Sequence, residues 1–149
     1  MTPATWTCLA DQLNLDGEAL LFADAAQTTA LAQRSQAAGY RVVEVDTAQV
    51  TDFRVAQARL AAALRLPATA GRNLDALADS LGDLARYWPD APRIALFWTH
   101  PETLIDKDTA GWFRLADVLQ DATAQLWRGG GDPADRLFET VLLVPGLDA

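Results

Sequence analysis

Apolar and polar positions change period several times along this chain, and the changes mark its elements. Past Glu18, the run Ala19-Leu-Leu-Phe-Ala23 has the length and composition of a short strand. The stretch Ala25–Ala38 is compatible with a helix, and Gly39 stops it. Tyr40-Arg-Val-Val-Glu-Val45 is rich in β-branched residues and reads as a second strand, ended by Asp46. Phe53, Ala56, Leu60 and Leu64 then recur at helical spacing, while Arg54, Gln57, Arg59 and Arg65 fall mostly elsewhere. Thr51 is the N-cap candidate of that helix, and Asp52 suits its first turn. Pro67 stops it, because a residue before proline is pushed out of the α region. Gly71 and Asn73 mark a turn and a cap, opening a short helix from Leu74 to about Leu84.

Ile94-Ala-Leu-Phe-Trp98 is a continuous apolar run between polar flanks, as expected of a buried parallel strand. A loop holding His100, Pro101 and Asp108 leads to a long helix from about Gly111 to Trp127. Its apolar positions are Phe113, Ala116, Leu119, Ala122 and Leu126, with Arg128 near its end and Gly129-Gly-Gly131 as terminator. Phe138–Val144 is the last strand, and Pro145 ends it. Strands alternating with helices predict an α/β protein with a mainly parallel sheet.

Half of the 149 residues are hydrophobic and 21% are charged, a balance that can bury a core and excludes wholesale disorder. No apolar run approaches the roughly 20 residues that span a bilayer, so no membrane role is expected. Residues 1–16 lack a basic stretch followed by an apolar block and do not read as a secretory signal. The single cysteine, Cys8, excludes an internal disulfide and a multi-cysteine metal site, so the expected address is cytoplasmic. Twelve basic residues against twenty acidic ones leave a net charge of −8. That balance argues against direct nucleic-acid binding and favours solubility or a basic partner.

Little here resembles catalytic machinery. His100 is the sole histidine and stands at a strand end, but no Gly-x-Ser-x-Gly elbow accompanies it. Gly129-Gly-Gly131 follows a helix and does not open one, which is a helix stop and not a phosphate loop. The five tryptophans are scattered and lack a basic groove. Trp98 is expected in the core, and Trp88, beside Tyr87 and Pro89, partly exposed. The acidic residues are more informative. Asp75, Asp79 and Asp83 are spaced by four, which places them in one stripe on a helix. Like charges at that spacing repel by roughly 0.2–0.5 kcal/mol per pair. Asp75 gains from the helix dipole; Asp79 and Asp83 do not. The stripe alone is compatible with a solvated face, a basic protein partner, or a divalent cation held through carboxylate oxygens.

The string Leu66-Pro67, then Gly71-Arg-Asn-Leu-Asp-Ala-Leu-Ala-Asp-Ser-Leu81, closely resembles the signature of the barstar family of ribonuclease inhibitors. The order of elements on both sides agrees, and the resemblance covers about Tyr40 to Pro145. It implies a small α/β domain with a three-stranded, mainly parallel sheet over residues 40–149. Residues 1–39 are then an N-terminal strand–helix extension packed on the same domain. The resemblance further implies a stoichiometric inhibitor and not an enzyme, with no cofactor and no metal. Its acidic helix would plug the active site of a basic ribonuclease or nuclease toxin, as in an immunity protein. On that reading Asp79 is the principal plug and Asp75 the second acidic contact. Asp121 lies where the family can place another acid, and Thr69, Gly71, Asn73 and Asp83 complete the contact face. Where family members carry loop tyrosines and a helix tryptophan, this chain has Thr69, Ala70 and Ala78. Alternatives are a non-inhibitory interaction module on the same scaffold, and a metal-dependent hydrolase using the Asp stripe.

Overall fold

The computed structural model describes residues 9–127, Gly129 and residues 131–146. Trp6, Cys8, Arg128 and Gly130 lie outside the described residues. Four strands, β1 (Leu20–Asp24), β2 (Arg41–Asp46), β3 (Arg93–Thr99) and β4 (Leu137–Val144), form one parallel sheet in the order β1-β4-β3-β2. The strands β2, β3 and β4 make the expected three-stranded sheet, and β1 adds an edge strand beside β4. Helices α1 (Leu9–Leu13) and α2 (Thr28–Ala37) belong to the N-terminal part of the chain. They are followed by α3 (Phe53–Ala63), α4 (Leu74–Gly82), α5 (Leu84–Tyr87), α6 (Glu102–Lys107) and α7 (Thr109–Leu126).

Connectivity explains why helices cover both faces. The step from β1 to β2 crosses the whole sheet in one direction, and β2 to β3 to β4 returns in the other. Parallel crossovers are right-handed, so reversing direction puts the connecting helices on opposite faces. Alternate residues of each strand serve the two layers. Ile94, Leu96, Trp98, Phe138 and Leu142 join Leu60, Leu64, Leu77, Leu81, Leu115 and Leu119 in the larger core beneath α3, α4 and α7. Ala95, Phe97, Leu137, Val141 and Leu143 meet Leu9, Leu13, Leu21 and Leu31 on the other face.

Several local expectations change. Asp52, not Thr51, caps α3, its carboxylate accepting from the Arg54 N–H at 2.9 Å. The loop after β3 contains α6, and Asp108 beyond it caps two helices at once. One of its oxygens accepts from Gly111 N–H (3.1 Å) in α7, and the other from Phe53 N–H (2.9 Å) in α3. Only glycine fits position 111, because a Cβ there would stand 2.5 Å from both Phe53 Cβ and the Asp108 carboxylate. Phe113 is 59% exposed. A row at i+3 drifts about 60° backwards around the helix per step, so Phe113 falls outside the buried stripe of Trp112, Leu115, Ala116, Leu119, Ala122 and Leu126. Trp88 is buried instead of partly exposed. The short α5 turns it back onto the end of α3, where its indole N–H donates to the Leu64 carbonyl at 2.7 Å. The Arg65 guanidinium, 4.3 Å from the ring centroid, covers its face.

Candidate functional site

The acidic helix is positioned by the turn before it. Pro67 leads into a 3₁₀ turn, Ala68–Gly71, whose Ala70 is fully buried. The buried Gln57 side chain of α3 donates to the Ala70 carbonyl at 2.9 Å. Gly71 backs onto the same helix, where an added Cβ would lie 3.2 Å from Ala58 Cα. The turn is thus clamped to α3, and the direction of α4 follows from it. Asn73 then caps α4, its side-chain oxygen accepting from Asp75 N–H (2.8 Å) and Ala76 N–H (3.2 Å). Leu77 and Leu81 bury one face of the helix, while Asp75, Ala78 and Asp79 are exposed on the other.

Asp75, Asp79 and Asp83 are all exposed, and none of their carboxylates has a hydrogen-bond or ion-pair partner among the described residues. Their stripe is shorter than the spacing suggests. The helix ends at Gly82, a poor helix former, and Asp83 is its C-cap and the first residue of the bend into α5. Asp83 N–H still bonds to the Asp79 carbonyl at 3.2 Å, so the third acid remains beside the last turn. Thr69 is exposed on the preceding turn, and Gly71 is half-buried against α3. Asp121 is exposed on α7, the helix against which α4 packs. It makes no hydrogen bond or ion pair with the stripe among the described residues. No group of three or more His, Cys, Asp or Glu side chains is placed to hold a metal among the described residues.

Three groupings of residues were not read from the sequence. At the start of α4, Asn73 and Asp75 share an open depression of about 320 Å³ with Arg54, Arg72 and Arg114. Arg114 comes from α7, more than thirty residues beyond the motif, and no local spacing links it to the motif. At the carboxyl ends of β2 and β3, His100 Nδ1 lies 2.9 Å from Asp46. The Ala48 N–H bond and the neighbouring imidazole hold that carboxyl below its usual range. On β4, Glu139 faces the second core layer at 4% exposure. Burial pushes its carboxyl up, partly offset by the Leu9 N–H, which lies 3.1 Å from each oxygen, and by the Tyr40 hydroxyl. An acid within an otherwise apolar strand was the available signal for it.

No helix among the described residues is long and apolar enough to cross a membrane. No curated protein and no solved structure matches the chain. A family model described as Barstar (barnase inhibitor) matches residues 40–141. That span opens just before β2 and ends within β4, and it contains the clamped turn, the capped α4 and α7. It covers well over half of the sequence, and with the motif Gly71–Leu81 at its centre, the chain belongs to the barstar family.

Proposed function

We propose that this protein is a stoichiometric inhibitor of a ribonuclease, of the immunity-protein kind, and not an enzyme. The observation that carries the reading is the family's own helix. Within the matched span, α4 presents Asp75 and Asp79 to solvent without internal partners, on a backbone fixed by a side-chain cap and a clamped turn. A carboxylate held in place and unpaired is suited to charge-assisted hydrogen bonds with the cationic groups that bind phosphate in a nuclease. In this reading Asp79 enters that centre, Asp75 flanks it, and Thr69, Gly71, Asn73, Asp83 and Asp121 border the contact. The net charge of −8 speeds encounter with a basic partner, at rates that fall with salt. Residues 1–39 serve as an extension of the same domain; β1 beside β4 and the apolar layer under α1 and α2 support this. The protein acts in the cytoplasm, where an immunity protein guards its cell.

Ala70 is fully buried and Ala78 has no aromatic ring to offer, so α4 and the turn before it lack the large anchors that dominate many interfaces. A nuclease other than barnase is therefore the expected target. The test is a paired capture from the source cell's lysate and secreted fraction at low salt. One bait is the native chain and the other carries Asp75→Ala and Asp79→Ala, with matched circular dichroism. Recovery of a basic nuclease by the native bait alone is expected. On the purified pair, Asp79→Ala should weaken binding by about 2–5 kcal/mol, mostly through the off-rate. Equal affinity of native and substituted chains would remove Asp79 from the contact.

A further inference from the structure

In a chain with eight excess acids, three arginines gather without an ion-pair partner among the described residues. Arg54 of α3, Arg72 of the turn before α4, and Arg114 of α7 line the depression at the start of α4. No ion pair involves any of them among the described residues. Arg54 and Arg114 stand 6.0 and 5.6 Å from the centroid of the same ring, that of Phe53. Phe53 is itself held by the Asp108 bond that joins the starts of α3 and α7. Two guanidiniums are therefore carried on one anchored platform, and Arg72 faces the same space.

Gathering like charges is unfavourable unless an anion joins them. The donors offered to such an anion are chiefly side chains, because most of the helix-end N–H groups here are already taken. Arg54 N–H bonds to Asp52, and the Asp75 and Ala76 N–H groups bond to Asn73. Asp75 is the single acid lining the depression, so three positive charges meet one negative charge. This excess suits a phosphate dianion better than a single carboxylate, and guanidinium forks match phosphate oxygens in pairs. We propose that the depression is a binding site for one phosphate group, free or carried as a monoester. The site does not depend on the nuclease reading, although it borders the face assigned there.

The test uses the full chain without any partner. Inorganic phosphate is titrated at constant ionic strength, and backbone amide shifts of residues 53–57, 72–76 and 113–115 are followed by NMR. Saturating shifts confined to these segments are expected. Arg114→Gln and Arg54→Gln should each weaken binding about tenfold, as loss of a charged hydrogen bond implies. Asp75→Asn should tighten it, and Asp79→Ala should leave it unchanged, which separates this site from the plug. Acetate serves as the carboxylate arm and should bind about tenfold more weakly or worse. A nucleoside monophosphate identifies the source: tighter binding than phosphate indicates a monoester, weaker binding free phosphate. Absence of saturation by phosphate, equal binding of acetate, or affinity unmoved by both arginine substitutions would each overturn the proposal.

Discussion

Asn73 can be tested in the absence of any partner, because its role in holding α4 is visible in the geometry. One side-chain oxygen satisfies two N–H groups of the first turn, at 2.8 and 3.2 Å. Replacing an N-cap asparagine by alanine costs about 0.5–2 kcal/mol. Here the residues concerned are exposed or half-buried, so water can take over the two donors, and the lower half of that range applies. The expected loss for Asn73→Ala is about 1 kcal/mol, or about 2–4 °C in Tm for a chain of this size. Asn73→Asp keeps the acceptor and adds charge at the positive end of the helix, so it should equal or exceed the native stability. Asn73→Gly should lose only a few tenths of a kcal/mol. Urea denaturation followed by far-UV circular dichroism gives the ranking, with equal m values required for the comparison. Asparagine and aspartate should lead, glycine follow and alanine come last. If alanine matches asparagine, or aspartate falls with alanine, the capping account of α4 is wrong.

Two further expectations concern the core and the second layer. Thr47 is fully buried and accepts the Trp98 indole N–H at 2.7 Å while donating to the His100 carbonyl at 3.0 Å. Thr47→Val keeps the volume but leaves a buried donor unpaired, a loss of about 1–3 kcal/mol, whereas Thr47→Ser keeps both bonds and loses about 1 kcal/mol with its methyl group. A valine variant as stable as the serine one in thermal unfolding would contradict this. For Glu139, burial raises the folded-state pKa, so the native chain holds more protons than the unfolded chain in the window above the ordinary carboxyl value of 4.5. Stability from this group is therefore full below that value and declines as pH rises through the raised one. Glu139→Gln should abolish that decline, and denaturation profiles of the two proteins that stay parallel across the window would refute it.

How much of this was legible in the sequence varies by element. The four strands, the α3, α4 and α7 periodicities and the asparagine cap all rest on spacings within a few residues, and they determined a parallel α/β fold in advance; α3 itself stops at Ala63, closed by Arg65 at φ 58° ahead of Pro67. The acidic face of α4 was legible for the same reason, since residues four apart share one side of a helix whatever surrounds it. The extent of the stripe was not: Gly82 ends the helix and Asp83 opens the bend into α5, whose following Trp88 bonds to Leu64 at the end of α3. Trp88 read as partly exposed from its local neighbours, Tyr87 and Pro89, while the groups that cover it, the Leu64 carbonyl and Arg65, sit more than twenty residues earlier. Likewise Phe113 belongs to an apolar row in the sequence but to the solvent in the fold, since the sheet lies on the side facing Leu115 and Leu119. The arginine cluster exists only where α3 and α7 start side by side, tied by Asp108, and Glu139 is buried where Leu9 of α1 and Tyr40 meet β4. Periodicity decides which face of an element is apolar; topology alone decides what that face, and the polar groups beside it, will meet.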